Sequence, residues 1–264
     1  LVETAPDMCN TTIYCDSIAD AVIQGFTIMV DDAVTGDNWD TGIEMISTDM
    51  IVGNNVLCNF SYYGILVENE SPHSDTPVIR DNEIYNCLAG IYVYEVWTWD
   101  CPIIVGNHIH DCWDHGIYCL NSTPYVGACV IENNALDGIL FEGYSESLME
   151  SNRIVNNDWN GVEAVMDYVY QSPCLNCAFH RETANDVYGN GNYDVRFWEE
   201  TGLGLFEARM NYWGTACPDP SQFCGRVNWT PWTDSTHSTL CSDCDSCGNA
   251  TEAATWGKIK AMFR

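Results

Sequence analysis

The densest group of metal-ligating side chains in this 264-residue chain is Asn107-His108-Ile109-His110-Asp111-Cys112-Trp113-Asp114-His115. Alternate residues of a strand share a face, so an inward Ile109 places His108 and His110 together on the outside. Two imidazoles so placed chelate a borderline divalent ion such as Zn2+ or Cu2+, and Glu132 is the carboxylate expected to complete the set. A separate oxygen-rich turn, Asp31, Asp32, Asp37, Asn38 and Asp40, carries donors suited to Ca2+ but no complete loop signature. Asp31-Asp32 and Asp114-His115-Gly116 offer acid–base groups. With 38 acidic residues, however, adjacent carboxylates arise from composition alone.

The charge balance narrows the partners. Nine basic residues against 38 acidic ones give a net charge of −29, which repels nucleic acid and other polyanions. The body holds only scattered arginines, Arg80, Arg153, Arg181, Arg196, Arg209 and Arg226, and no lysine before Lys258. No run approaches the roughly 20 apolar residues of a membrane span. Leu1 to Asn10 lacks signal-peptide character, as expected of a mature, exported form. Fifteen cysteines point the same way, to an oxidising, extracellular or cell-surface location. Asn10, Asn59, Asn69, Asn121, Asn228 and Asn249 stand in sequons, and of these Asn10, Asn59, Asn121 and Asn249 are the favoured candidates for N-glycosylation.

The elements that must position these groups are repeats. A Gly-Ile/Val step returns at Gly42, Gly64, Gly90, Gly116, Gly138 and Gly161, at intervals of 22, 26, 26, 22 and 23 residues. Ahead of most lies an Asn-x-apolar step, as at Asn82-Glu83-Ile84, Asn107-His108-Ile109 and Asn152-Arg153-Ile154, with Cys129-Val130-Ile131 in the same slot of one repeat. Upstream again come β-branched pairs such as Val78-Ile79 and Ile103-Ile104. Each period therefore predicts three short strands separated by turns. One such coil cannot bury its own apolar face; stacked coils can, at about 4.8 Å per rung. Asn is expected at left-handed turn positions, and the repeat glycine for the same backbone freedom. Alignment of the repeats puts Tyr85 and Glu132 in the column of His110, and Glu83 in that of His108.

This pattern resembles the right-handed parallel β-helix repeat family, the pectate-lyase-like superfold, over roughly residues 21–213. It is carried by the iterated Asn-x-Ile…Gly-Ile periods and by Val22-Ile23-Gln24-Gly25-Phe26-Thr27-Ile28, which looks like an early rung. Asn211-Tyr212-Trp213-Gly214, followed by Cys217, Cys224 and Pro231-Trp232, looks like the closing segment of many bacterial members. The resemblance implies an all-β solenoid of seven to eight coils and a secreted bacterial or archaeal protein. It implies no single activity, because the superfold hosts lyases, hydrolases, adhesins and passive scaffolds. Lyases of the family use Arg or Lys with bound Ca2+, and hydrolases use Asn-Thr-Asp, Gly-His-Gly and Arg-Ile-Lys steps. Neither set is present here.

The expected organisation is an N-terminal cap or assembly segment (1–20), a β-helix (21–204), a C-terminal cap (205–240) pinned by a disulfide, and a Cys-rich linker with a basic amphipathic tail (241–264). Cys217 with Cys224, Cys9 with Cys15, and Cys174 with Cys177 are local disulfide candidates. Cys87 and Cys112 lie one coil apart, as a disulfide or as two buried thiols. In the Cys241, Cys244, Cys247 cluster disulfides outweigh zinc. Trp256, Ile259 and Phe263 recur at helical spacing beside Lys258, Lys260 and Arg264, a docking arm for self-assembly. Tyr62, Tyr63, Tyr92, Tyr94, Tyr118, Trp97, Trp99 and Trp113 offer outer stripes for glycans. The leading expectation is a non-enzymatic extracellular structural or adhesive protein, stacking head-to-tail into surface filaments. The alternative is a carbohydrate-active β-helix enzyme or a glycan-binding module.

Overall fold

The computed structural model describes residues 11–30, 40–68, 76–96, 101–145, 147–166, 174–176, 181–199 and 204–244. Within them the chain visits three parallel sheets in turn and climbs one rung per circuit. The first sheet has nine strands, from Thr11–Asp16 to Phe223–Cys224, and the second nine, from Val22–Gln24 to Val227–Asn228. The third has seven, from Thr27–Met29 to Asp186–Tyr188. The coil is right-handed, the hand expected of parallel crossover connections. The helix thus extends past both ends of the 21–204 span. Thr11–Asp16 already pairs with Thr41–Ile46, and residues 206–228 continue the first two sheets into the segment expected to be cap.

In-register pairing stacks like on like. Ile43, Ile65, Ile91, Ile117, Ile139, Val162 and Val195 form one buried column of the first sheet, and Ile84, Ile109, Ile131 and Ile154 one of the third. Each strand contributes only one to three inward residues, so the core exists only because neighbouring rungs supply the rest.

Two corner devices differ from expectation. Asn does take left-handed positions at other corners, such as Asn59, Asn86, Asn121, Asn133 and Asn156, but at the corner of the Asn-x-apolar step the left-handed residues are Asn54, Asp81, Gly106, Ala128 and Ser151, each one position before the Asn (or Cys129) of the repeat. That Asn is instead buried and hydrogen-bonds to the next rung. Asn82 Oδ1 accepts from the Asn55 amide at 3.0 Å and Asn107 Oδ1 from that of Asn82 at 3.0 Å, while each Nδ2 donates to a carbonyl of the preceding coil. The ladder resumes through Asn152, Asn185 and Asn211. Cys129 interrupts it: its amide still donates to Asn152 Oδ1, but its thiol offers Asn107 only a long contact. The repeat glycines, for their part, keep φ negative and are required by space. A Cβ on Gly116 would lie 2.6 Å from Ile131 Cγ2 and 2.7 Å from the Gly138 carbonyl oxygen.

The cysteines also depart from the expected pairing. Cys217 bonds to Cys244, and Cys224, drawn into the first sheet opposite Arg196, is free. Cys174 and Cys241 are disulfide-bonded as well, so the 241–247 cluster does not offer zinc a full set of thiolates. Cys15 is a free buried thiol rather than a partner of Cys9. Cys87 and Cys112 remain free, their thiols donating to the Tyr85 and His110 carbonyls at 3.4 and 3.7 Å, and burial pushes the Cys87 thiol up. Cys9, Cys177 and Cys247 lie outside the described residues. The C-terminal closure packs Trp213 and Trp232 on the last rungs, with Phe223 stacked on Trp229 at 4.6 Å. His237 Nε2 ties it to Asp186 Oδ1 at 2.8 Å.

Candidate functional site

Two clusters of titratable side chains stand on the outer surface. The first is on the third sheet, where Ile109 is fully buried and His108 and His110 point outward together, their rings 4.3 Å apart. Register places Glu83 opposite His108, and Tyr85 and Glu132 on either side of His110. Side chains lean diagonally across those columns. His108 Nε2 meets Glu132 Oε1 at 3.1 Å, whereas His110 Nε2 approaches Glu83 Oε1 at 3.6 Å. Glu132, the expected third ligand, is held by Arg153 at 2.5 Å, and it is Glu83 whose donor atom gathers with those of the two histidines.

The second cluster lies where the third sheet turns into the first. His115, Asp137 and Asn160 each stand just before a repeat glycine and therefore stack on successive rungs, all buried. His115 Nε2 is 3.2 Å from Asp114 Oδ1, and its Nδ1 is 3.1 Å from Asp137 Oδ2. Asn160 donates through Nδ2 to Asp137 Oδ1 at 2.7 Å and to Glu163 Oε2 at 2.6 Å, and Arg196 pairs with Glu163 at 2.6 Å. Burial raises the carboxyl of Asp114, and burial followed by the neighbouring Asp137 raises that of Glu163. Outside this polar seam stand exposed Trp113, Leu136 and Trp159 on three consecutive coils, linked by Leu136 N–H to Asp114 carbonyl and Trp159 N–H to Leu136 carbonyl bonds of 2.9 and 3.2 Å.

Sequence reasoning singled out Asp114, His115 and Trp113 but missed Asp137, Asn160, Glu163 and Trp159. The signal was present: each of the first two precedes a repeat glycine as His115 does. The expected tyrosine stripe forms, but Tyr62, Tyr63, Tyr92 and Tyr118 stack on one another at 3.7, 4.7 and 4.8 Å. Tyr118 also donates to Glu142, and burial raises the phenols of Tyr63, Tyr92 and Tyr118. Their ring faces are largely spent on the ladder.

Of the other expected residues, Asp40 is buried and bonded to Ser61, and Asp31, Asp32, Asp37 and Asn38 lie outside the described residues. Asn59 and Asn121 occupy left-handed corners with Oδ1 engaged by Asn86 and the Tyr144 amide, and Asn228 Nδ2 donates to Glu207. Asn10, Asn69, Asn249, Trp97, Trp99 and the tail residues Trp256, Lys258, Ile259, Lys260, Phe263 and Arg264 lie outside the described residues. Among the described residues no helix is long and apolar enough to cross a membrane.

Three parallel sheets wound into one right-handed coil, with stacked aliphatic columns and Asn ladders, define a right-handed parallel β-helix. The chain belongs to the family described as "Right handed beta helix region", whose match runs over residues 41–197, more than half of the sequence. Its relatives include Fibrocystin-L of Homo sapiens, 36% identical over 84 residues, and of Mus musculus, 32% identical over 84 residues. Each alignment covers 30% of this chain but 2% of the relative, so the similarity concerns a small part of a far longer protein. These relatives are mammalian rather than bacterial or archaeal. No solved structure gives a significant match.

Proposed function

We propose that this chain is an extracellular structural and adhesive β-helix module that binds a glycan along the corner carrying Trp113 and Trp159. The observation that carries this reading is the exposure of these two large aromatic rings, 56% and 46%, beside a row of carboxylates and amides. Trp159 lies two rungs, a rise of about 9–10 Å, above Asp114, the residue next to Trp113, and that rise is close to the length of two pyranose units in a chain. Indole faces stack on sugar rings, while the partly exposed Asp114 carboxylate accepts hydroxyl hydrogen bonds. The charge of −29 favours a neutral glycan over a uronate polymer.

Binding is favoured over catalysis because the buried carboxylates are already engaged, Asp137 by His115 and Asn160, and Glu163 by Asn160 and Arg196. Titration against a panel of neutral oligosaccharides is expected to give binding that Trp113→Ala with Trp159→Ala lowers at least about tenfold, without release of product. New reducing ends or unsaturated products would instead establish the enzyme. Binding unaffected by both substitutions would remove this corner from consideration.

A second reading, head-to-tail self-assembly, is favoured by the first rung. Among the described residues its three strands are each paired on one side only, Val22, Phe26 and Met29 are exposed, and Thr12, Ile13, Phe26, Thr27, Ile28 and Met29 line a cavity of about 270 Å³.

A further inference from the structure

We propose that Glu83, His108 and His110 form a binding site for one Zn2+, or the equivalent Cu2+ or Ni2+, on the outer face of the third sheet. One donor atom from each of the three lies within 4.8 Å of the other two, across two adjacent rungs whose spacing is locked by backbone pairing. Tetrahedral coordination at about 2.0–2.1 Å brings ligand atoms to about 3.4 Å of one another, a contraction that rotations of a half-exposed glutamate and an outer imidazole supply.

The second observation is the state of His110. Its Nδ1 lies 2.7 Å from Asp111 Oδ2; a carboxylate only accepts, so Nδ1 carries the hydrogen and donates. Nε2 is shielded from solvent and has no hydrogen-bond partner; the nearest group is the Glu83 carboxylate, at 3.6 Å. Nε2 and the Glu83 carboxylate oxygen thus face one another at a distance too long for a hydrogen bond, with room for an ion between them. A divalent cation satisfies both. The Asp111–His110 contact is the outer-shell arrangement that orients a ligating imidazole, and Tyr85, stacked on the ring at 5.1 Å, holds its plane. His108 is steadied by Glu132, itself tied to Arg153. Two nitrogen donors and one carboxylate select Zn2+, Cu2+ or Ni2+ over Ca2+ and Mg2+, which need more oxygen ligands. The remaining positions are open to water or to a partner's side chain.

This site is independent of the glycan reading: it lies on the outer face of the third sheet, not at the corner that follows it, and shares no residue with the Trp113–Trp159 corner. The test is calorimetric titration of the full chain with Zn2+ in excess Ca2+, which occupies general carboxylate sites. The absorption spectrum of the Co2+ form reports nitrogen ligation. The expected result is one saturable site, weakened about 10–100-fold by Asp111→Asn and at least as much by Glu83→Gln, and lost in His108→Ala with His110→Ala. Glu132→Gln is expected to weaken it less than Glu83→Gln. Glu83 is exposed, so its variant keeps the fold, with far-UV circular dichroism as the check. No saturable uptake by the wild type, or uptake that persists in the double histidine variant, overturns the site. A larger loss in Glu132→Gln than in Glu83→Gln overturns its ligand set.

Discussion

Asp194 shows how strongly burial governs single residues on this scaffold. It is 4% exposed, accepts from Asn190 Nδ2 at 3.0 Å, and burial raises its carboxyl to about 6, only partly opposed by those hydrogen bonds. An acid raised in the folded state binds more protons when folded than when unfolded between pH 3.8 and about 6. Its contribution is therefore intact below that window and is lost as pH rises through it. Asp194→Asn is accordingly expected to raise stability at pH 7–8 by about 1–3 kcal/mol, with the advantage over wild type vanishing below about pH 4. Urea titrations of both proteins across pH 4–8 measure this; a constant difference would show that Asp194 does not titrate in that window. The corner histidine is a different case, because both ring nitrogens of His115 already face carboxylates. Sequence spacing singled out its neighbour Asp114; Asp137 carries its signal one coil on, in its place before a repeat glycine, and the coil brings it to His115 across 22 positions.

At the level of strands and corners, two kinds of glycine serve different ends. Gly25 has φ +78° with nothing within 4 Å of a Cβ, whereas Gly116 has an ordinary φ and no room. Gly116→Ala is expected to cost about 3 kcal/mol, since a carbonyl of the next rung must move, while Gly25→Asn costs about 1 kcal/mol or less. Chemical denaturation of the two variants distinguishes the origins; equal losses would mean that space does not limit the repeat glycine. The repeat itself was legible because each coil needs the same inward residues at the same places. The role of its Asn was not, because left-handed turns and interrung ladders both favour that residue, and neighbouring positions serve the two. Cys129 marks the one rung between Asn55 and Asn211 in the ladder column where a thiol replaces the amide.

The chain is strongly acidic, and the first and last described rungs of its coil differ. Among the described residues the last rungs are closed by Trp213, Trp232 and the Cys217–Cys244 disulfide, whereas the strands of the first are each paired on one side and leave Phe26 and Met29 exposed. If the first rung docks on further copies, electron microscopy of the purified chain shows linear oligomers, and Phe26→Glu with Met29→Glu dissolves them while leaving glycan and Zn2+ binding in place. Monodisperse particles at high concentration exclude that mode. The buried free thiols also revise the reading of the cysteines. Cys58, Cys87, Cys112, Cys119 and Cys129 behave as small core residues, and burial pushes the Cys129 thiol up to about 11. Among the described residues Cys217 and Cys244 join in a disulfide beside the closing segment, and Cys174 and Cys241 are disulfide-bonded as well.

Periodicity alone was sufficient for the solenoid, its coil length, the inward aliphatic columns and the outward pairing of His108 with His110. All of these follow from one repeating register, in which a local pattern is its own long-range contact map. Which carboxylate meets those histidines, which cysteine reaches Cys217, and which residues gather round His115 depended on side chains leaning across columns and on a closing segment outside the repeat. Register assigns a residue to a column to within a rung. Hydrogen bonds and disulfides are decided over fractions of that distance, by rotamers and packing that only the folded coil supplies.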